Sequence, residues 1–324
     1  MEIFSRNVNS MLVEACWYLR DNGVREDSRN GPVLTSPTPV TLVTFAPWER
    51  VLLWPERDAN PFFHLMEALW MMAGRNDVEF PTRFNSKFGQ FSDDGVTLHG
   101  AYGHRWRNHF DGDQIEWVVH TLRIDPTSRR AVIGMWDPQI DMEPRSRDLP
   151  CNTHIYFRVI NGKLQMTVCN RSNDLIWGAC GSNPVHFSIL QEYVAASVGV
   201  KMGRMIQFTN NLHIYDNVPN RQIYENPVQH QIYPEPMGVD LIAAGNWNTD
   251  KWNRNLESFM EDPLGTMPHP EEVFFAKVAQ PMYLAWSLRK DGEHEAALAQ
   301  CEWIEDQAWA QACREWMQRR YDRR

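Results

Sequence analysis

The chain has 324 residues, 43% of them hydrophobic and 12% aromatic, which is enough to bury a large core in one big domain or two modest ones. Its formal net charge of -9 argues against a general nucleic-acid surface, although local arginines can still bind single phosphates. The sequence has no signal peptide, no apolar run long enough to span a bilayer, and no metal-ligand spacing among its six cysteines. We therefore expect a cytoplasmic protein with reduced thiols, no metal, no membrane partner and no required nucleic acid.

The first half of the chain alternates helical and strand patterns. In chain order, apolar periodicity predicts a helix over residues 5–22, a polar loop over 27–32, strands over 41–44 and 50–54, helices over 61–74 and 113–124, a loop over 125–130 and a strand over 131–136.

The second half begins with a hairpin. Two alternating strands, residues 154–160 and 164–170, flank Asn161-Gly162, which is the strongest short hairpin signal. The predicted elements that follow are a Gly-rich turn over 178–183, a helix over 184–199, a strand over 205–211, a weakly periodic stretch over 226–270, and helices over 271–321 with a break near 290–292. Strands interleaved with helices predict an α+β fold around one mixed sheet.

Cys151 is the candidate nucleophile. A single cysteine is usually a small buried hydrophobic residue, and we interpret Cys16, Cys169, Cys180, Cys301 and Cys313 in that way. Cys151 differs because the hairpin brings Arg171 and Ser172 close to it, and a nearby cation can lower the pKa of a thiol. These residues, together with Asn183, indicate a catalytic thiolate.

Four arginines lie on separate loops of this acidic chain: Arg29, Arg129, Arg130 and Arg171. Guanidinium groups match phosphate oxygens, so the set indicates one small anionic ligand, with solvated surface arginines as the alternative.

Two further features of the sequence each have two interpretations. Glu67 stands alone in an apolar helix, so it is either paired with a buried base or kept as an acid-base group. His213 and Tyr215 alternate along a strand and point the same way, so they either bind a sugar or are buried with satisfied partners.

Taken together, these motifs resemble the thymidylate synthase superfamily, which includes phage deoxynucleotide hydroxymethylases. The resemblance covers roughly residues 25–220 and is carried by residues 100–106, 125–130, 149–151, 170–174, 178–183 and 212–215, with Glu67 on its helix. It implies a thymidylate synthase-like fold, a large mixed sheet flanked by helices. We expect a catalytic domain over residues 1–225 and a divergent, mostly helical extension over 226–324.

The resemblance also implies a chemistry. Cys151 would add to C6 of a pyrimidine deoxynucleotide, so that C5 attacks the methylene of 5,10-methylenetetrahydrofolate. Glu67 would order water and move protons, with Tyr102 nearby, and Asp174 would contact the pterin. The 5′-phosphate would be held by Arg29, Arg171 and Ser172, with Arg129 and Arg130 reaching in from the partner subunit of a homodimer. The ribose hydroxyl would be held by His213 and Tyr215.

Asn183 falls on the base-reading position of the family, with one extra residue in the preceding turn. A side-chain amide can accept from N3–H and donate to O4, which suits uracil. If Ser182 occupied the position instead, cytosine would be a possible base.

Departures from the family indicate the type of reaction. Phe88 and Phe91 stand where synthases have two tryptophans near the folate, Asn152 replaces the histidine after the nucleophile, and Asn173 resembles the hydroxymethylase branch. Synthases also close over folate with a short apolar tail, which this chain lacks. Loss of the aromatic wall and the tail favours attack by water on the exocyclic methylene.

We therefore predict a dUMP 5-hydroxymethylase, acting in the host cytoplasm if it is phage-encoded. Thymidylate synthase is the second hypothesis and a dCMP enzyme the third. A catalytically dead relative that binds a nucleotide or RNA is the alternative from another class.

Overall fold

A computed structural model describes residues 1–142, 146–227, 233, 241–243 and 247–322. The strands are β1 (Glu2–Ser5), β2 (Val24–Ser28), β3 (Gly31–Thr35), β4 (Val40–Thr44), β5 (Val132–Gly134), β6 (Asn152–Ile160), β7 (Lys163–Asn170), β8 (Asn173–Asp174), β9 (Lys201–Thr209) and β10 (Leu212–Tyr215).

The helices are α1 (Val8–Asn22), α2 (Pro61–Met72), α3 (Glu79–Thr82), α4 (Tyr102–Arg107), α5 (Gln114–Ile124), α6 (Asn183–Val198), α7 (Val218–Tyr224), α8 (Thr249–Glu261), α9 (Gln280–Lys290), α10 (His294–Cys301) and α11 (Gln307–Tyr321). A 3₁₀-helix covers Phe88–Phe91, and π-helices cover Leu175–Ser182 and Phe275–Ala279.

The larger sheet has six strands in the order β1-β4-β9-β7-β6-β5 and mixes parallel with antiparallel pairs. The predicted hairpin supplies two adjacent strands of this sheet: β6 and β7 pair antiparallel, and Asn161 and Gly162 form the turn with φ of 50° and 70°. An α+β fold with a mixed sheet was predicted and is confirmed.

The prediction of one sheet is wrong in one respect, because a second sheet of four strands has the order β2-β3-β10-β8. Residues 27–32, predicted as a loop, belong to its β2–β3 hairpin, with only Arg29 and Asn30 in the turn. This hairpin carries Arg29 beside β10, which pairs with β3 and carries His213 and Tyr215.

One face of the larger sheet is covered by helices. Leu164, Met166 and Val168 of β7 point into the core that α2, α5 and α6 share. Helix α2 begins at Pro61, capped by Asn60, and its nearly all-apolar surface is buried as expected. The opposite face of the sheet exposes large apolar side chains, namely Phe4, Phe45, Tyr156, Ile160 and Phe208.

The residues predicted as a strand over 50–54 form no strand. The side chain of Asn9 takes the place of a neighbouring strand, because its amide donates to Val51 O at 2.9 Å and its oxygen accepts from Leu53 N–H at 2.9 Å. A buried backbone can be satisfied by a side chain in this way, and the sequence pattern does not show it.

The C-terminal helices pack against the rest of the chain. Trp286 and Trp316 of α9 and α11 lie 5.5 Å and 5.7 Å, between ring centroids, from Phe62 at the start of α2. The helical prediction for 271–321 is confirmed, whereas α8 was missed inside the stretch 226–270. Within that stretch, residues 228–232, 234–240 and 244–246 lie outside the described residues.

Candidate active site

Cys151 immediately precedes β6, and the β6–β7 pairing brings Arg171 next to it. The Arg171 backbone N–H donates to Cys151 O at 2.9 Å, and a guanidinium nitrogen lies 3.8 Å from the Cys151 sulfur. The same guanidinium donates to the carbonyls of Pro150 at 3.0 Å and Leu149 at 3.2 Å. The cation is thus held by backbone carbonyls on the thiol's own loop.

The thiol is not ionised by this arrangement alone. Burial raises the pKa of Cys151, the positive charges of Arg171 and Arg29 lower it, and the nearby carboxylate of Asp148 adds to the rise. The net pKa of the Cys151 thiol therefore lies above its ordinary value in the unliganded protein. The proton of the thiol has to leave as the reaction begins.

Tyr102 lies behind the thiol. Its hydroxyl oxygen accepts the Asn152 backbone N–H at 3.3 Å, and burial raises its pKa, so it stays a neutral phenol. Helix α4 reaches this position because Gly103 touches α2: a Cβ there would lie 2.0 Å from Met71 O. Asn152 itself points away and donates to Cys169 O at 2.8 Å.

Glu67 is consistent with both interpretations, pairing with a buried base and a role as an acid-base group. Its Oε2 lies 2.9 Å from Nε2 of His186 on α6, so a buried base is its neighbour. Glu67 also lines an open cleft, together with His64 one turn earlier on α2. Burial, with the charges of Arg57 and His186, holds the pKa of His64 well below its usual range, which keeps that ring neutral.

Asp174 ends β8 beside the parallel strand β10. One of its carboxylate oxygens accepts the Trp177 backbone N–H at 2.6 Å, while Oδ2 is buried with no hydrogen-bond partner in the described part of the chain. Burial raises the pKa of Asp174, and the positive charges of His213 and Arg57 oppose the rise. Such an atom can accept a hydrogen bond from a ligand.

His213 and Tyr215 point the same way, as the alternation predicted. Their rings lie 5.3 Å apart, at 88° to each other, and the Tyr215 hydroxyl accepts from the Asn30 side chain at 3.2 Å. Asn30 follows Arg29 in the β2–β3 turn, so the predicted sugar-binding residues and one predicted phosphate ligand, Arg29, lie at one end of the smaller sheet.

The Gly-rich segment is a π-helix and not the predicted turn. A π-helical turn holds more residues than an α-helical one, so it can absorb the extra residue that precedes Asn183. Asn183 is buried, and its side-chain N–H₂ donates to the Asn173 Oδ1 at 3.2 Å. Gly178 makes room for this pair, because a Cβ there would lie 2.4 Å from the same oxygen.

Ser182, the other candidate for this position, faces elsewhere. Its hydroxyl donates to Trp177 O at 3.3 Å, and the residue lines the open cleft.

The open cleft has a volume of about 540 Å³. Its aromatic residues are Phe63, Phe84, Phe88, Phe91, Trp177 and Trp316. Phe88 and Phe91 were expected here, but the expectation that this wall has lost its tryptophans is wrong. Trp177 comes from the π-helix and Trp316 from α11, so neither stands near the two phenylalanines in sequence.

The C-terminal helix α11 is tied to the cleft by Asp58. Arg320 donates to the two Asp58 carboxylate oxygens at 3.0 Å and 2.9 Å, and Arg319 donates to one of them at 3.1 Å. The Arg320 guanidinium also stacks 3.4 Å above the Trp316 ring. Arg320 and Trp316 thereby form one wall of the cleft.

Arg129 and Arg130 are exposed and lie at the far end of β5 from Cys151. Strand β5 runs antiparallel to β6, and Arg171 stacks over the ring of Trp136 at 5.6 Å, so the Cys151 end is the Trp136 end. Six residues at ~3.3 Å each put the two arginines roughly 20 Å away. Within one chain they do not join the other predicted phosphate ligands.

Several residues of the site were missed from the sequence. They are Arg57, Asp58, His64, Trp177, His186, Trp316 and Arg320. Arg57 is the clearest case: it donates to Ile176 O at 2.9 Å and stacks 4.0 Å over Trp177, and burial lowers its pKa to about 10. A buried arginine next to a proline-rich loop carried no periodic signal.

Comparison with known proteins identifies the family. A family model described as thymidylate synthase matches residues 11–239. The chain is also 44% identical over 333 residues to the deoxyuridylate hydroxymethyltransferase of Pseudomonas phage M6, covering 98% of this chain and 94% of that protein. The chain belongs to the thymidylate synthase family.

Two shorter matches are to phage proteins with the same name as this relative. The chain is 40% identical over 188 residues to the deoxyuridylate hydroxymethyltransferase of Bacillus phage SP01, covering 55% of this chain and 49% of that protein. It is 33% identical over 180 residues to the protein of that name from Delftia phage PhiW-14, covering 52% of this chain and 50% of that protein.

Across the described ranges of the chain, no helix is long and apolar enough to cross a membrane. The same residues include no group of three or more histidine, cysteine or acidic side chains that could hold a metal ion.

Proposed function

We propose that the protein is a dUMP 5-hydroxymethyltransferase that uses methylenetetrahydrofolate. The observation that carries the proposal is the placement of the Cys151 thiol beside Arg171, with the buried amide of Asn183 available to read a base. The relatives named deoxyuridylate hydroxymethyltransferase, one of them matched along nearly its whole length, support the choice of reaction.

Uracil is the base that fits Asn183. One of its amide hydrogens is engaged by Asn173, which leaves the second hydrogen to donate to O4 and the amide oxygen to accept from N3–H. We propose Arg29, Arg171 and Ser172 as phosphate ligands, and His213 and Tyr215 as ligands of the ribose hydroxyl.

The cleft next to this site fits a folate. It is lined by aromatic rings that can stack on a pterin and an aminobenzoyl group, and Asp174 Oδ2 is an unused acceptor for pterin N–H groups. Phe88 and Phe91 would form part of the stacking surface. When bound, methylenetetrahydrofolate supplies a one-carbon unit at the oxidation level of formaldehyde.

The residues of this chain then have defined tasks. The Cys151 sulfur forms a bond to C6 of the pyrimidine, which places the negative charge on C5 and O4, where the Asn183 amide donates. Because the thiol starts protonated, its proton has to pass to a base as the bond forms. We propose the 5′-phosphate dianion, which Arg171 would hold, as the base that takes this proton. After C5 has bonded to the methylene carbon, C5 loses its proton and tetrahydrofolate leaves, which gives the exocyclic methylene. Addition of water to that methylene returns an electron pair to C5, which expels the Cys151 thiolate from C6 and restores the ring double bond.

Glu67 is placed to bind a water molecule and exchange a proton with it. It lines the cleft on one side and contacts His186 on the other, so it can hold a water molecule and exchange a proton with it. We propose that such a water adds to the exocyclic methylene of the pyrimidine to give the hydroxymethyl group. Tyr102, a neutral phenol near the thiol, is a hydrogen-bond donor to the same region.

The choice of water over hydride rests on the relatives. Absence of an aromatic wall does not support the choice of water, because Trp177 and Trp316 line the cleft. Thymidylate synthase, which delivers hydride instead, is the competing reaction.

A homodimer would complete the site. The exposed face of the larger sheet carries Phe4, Tyr156 and Phe208, an apolar surface of the kind that a partner covers. Arg129 and Arg130, which lie about 20 Å from Cys151 in their own chain by strand spacing, could then reach the partner's phosphate site.

We also propose that residues 1–225 form the catalytic domain and residues 226–324 an extension that packs on it. The contacts of Trp286 and Trp316 with Phe62 support this arrangement. A phage-encoded enzyme of this kind would act in the host cytoplasm.

Product analysis tests the proposal. Purified protein is given dUMP or dCMP with methylenetetrahydrofolate, and the nucleotides and folates are identified by mass spectrometry. Hydroxymethyl-dUMP with tetrahydrofolate is the expected result. A methyl product with dihydrofolate would identify a thymidylate synthase, and a modified dCMP would overturn the uracil assignment. No product and no covalent adduct with 5-fluoro-dUMP would indicate a catalytically dead binding protein.

A further inference from the structure

A chain of three buried side-chain amides leads from the backbone to the base-reading residue. The Gln207 side-chain N–H₂ donates to Ala179 O at 2.9 Å, and the Gln207 oxygen lies 3.5 Å from the Asn173 N–H₂ that donates to it. The Asn173 oxygen in turn accepts from Asn183 at 3.2 Å. All three side chains are buried, so water does not compete for these groups.

The direction of this chain is fixed at one end. A backbone carbonyl such as Ala179 O can only accept a hydrogen bond, so Gln207 has to present its N–H₂ to it. The Gln207 oxygen therefore faces Asn173, which has to present its own N–H₂. That choice turns the Asn173 oxygen toward Asn183, and Asn183 has to present its N–H₂ as well.

We propose that Gln207 and Asn173 determine base specificity by holding the Asn183 amide in one of its two orientations. The inference rests on the proposed function in one respect, namely that Asn183 reads the base. In the held orientation, the Asn183 oxygen accepts from N3–H and its free hydrogen donates to O4, which is the pattern of uracil.

Rotation of the Asn183 amide by half a turn would produce the opposite pattern. Its N–H₂ would then face N3 and its oxygen would face a 4-amino group, which is the pattern of cytosine. In this protein the rotated Asn183 oxygen would face the Asn173 oxygen. Rotating Asn173 as well would move the clash to the Gln207 oxygen, and rotating Gln207 would move it to Ala179 O. None of these clashes can be relieved, because the last acceptor belongs to the backbone.

Neither Gln207 nor Asn173 needs to touch the nucleotide in this scheme. They are positioning residues, and their effect should appear as a change in the preference between two bases and not as a general loss of binding.

Binding measurements on one variant and one matched control test the proposal. Gln207→Leu removes the fixed end of the amide chain and keeps a side chain of similar size. Gln191→Leu is the control, because Gln191 is equally buried and donates to a backbone carbonyl, Leu164 O, at 2.8 Å without contacting this chain of amides. Isothermal titration calorimetry gives Kd for dUMP and for dCMP, and thermal unfolding shows whether each variant is folded.

We expect the unaltered protein to prefer dUMP, Gln207→Leu to lose about tenfold or more of that preference, and Gln191→Leu to keep it. The loss should combine weaker dUMP binding with stronger dCMP binding. Gln207→Met, which also lacks both polar groups, replaces Gln207→Leu if that variant does not fold.

Three results would overturn the inference: an unaltered protein with no preference for dUMP, a folded Gln207 variant with the preference intact, or an equal loss in Gln191→Leu. Because the measurement needs no folate and no turnover, it is independent of the proposed reaction. A protein that shows the expected binding but forms no product would support the amide chain and overturn the proposed activity.

Discussion

The guanidinium of Arg171 lies 3.8 Å from the sulfur of Cys151 and is held there by the carbonyls of Leu149 and Pro150. The cation is therefore in place before any anion arrives. Burial still keeps the pKa of the thiol above its ordinary value. The site thus combines a protected thiol with a fixed charge that favours its ionised form.

Removal of that charge should raise the pKa of Cys151 further. Because only the thiolate is alkylated, the rate of Cys151 modification by iodoacetamide rises with pH, and in Arg171→Gln the rise should shift to higher pH. Peptide mapping by mass spectrometry separates Cys151 from the other thiols. Arg158→Gln, an exposed arginine on β6, is the control and should leave the profile unchanged. An unshifted profile in Arg171→Gln would contradict the electrostatic coupling.

Replacement of the sulfur should stop turnover. A serine hydroxyl is a far weaker nucleophile in this setting, so Cys151→Ser should lower kcat by about 10³-fold or more without changing the melting temperature. Cys169→Ser on the neighbouring strand is the matched control and should keep its activity. Turnover of Cys151→Ser within tenfold of the unaltered enzyme would remove the thiol from the mechanism.

The C-terminal helix α11 should affect the binding of folate more than the binding of the nucleotide. Arg320→Gln breaks a two-point contact with Asp58 beside Trp316, and we expect KM for methylenetetrahydrofolate to rise by about tenfold with little change in KM for dUMP. Arg314→Gln, on the same helix but paired with exposed Glu302, is the control. Equal effects on both substrates would mean that the helix only stabilises the fold.

If each active site contains residues of both subunits, two inactive variants should restore activity when they form a mixed dimer. In a dimer of Cys151→Ser with Arg130→Ala, one site keeps its thiol and receives both arginines from the partner. Because random pairing makes half of the dimers mixed, co-expressed subunits should recover about a quarter of the normal activity. The measurement is the rate of the co-expressed mixture against each variant alone. No recovery, from a mixture shown to contain mixed dimers, would contradict the crossing of the arginines.

The sequence predicted what depends on local patterns. The hairpin followed from Asn161-Gly162, the buried helix from its apolar run between Pro61 and Gly74, and the facing of His213 and Tyr215 from strand alternation. Each of these signals lies within a few residues of the feature that it predicts.

The features that were missed depend on distant partners. Nothing near Arg320 indicates that it meets Asp58, because 262 positions separate them along the chain. The backbone of Val51 and Leu53 is satisfied by Asn9, a contact that no periodicity reveals. The net direction of the Cys151 pKa shift also depends on packing, since a motif shows a neighbouring arginine but not the depth of burial.

In the proposed reaction, water and not hydride adds to the methylene carried on C5 of dUMP. It is tested most directly by a single turnover in water labelled with heavy oxygen, followed by mass spectrometry of the nucleotide. We expect a hydroxymethyl-dUMP that carries the heavy oxygen in its new hydroxyl group. An unlabelled methyl product accompanied by dihydrofolate would contradict it.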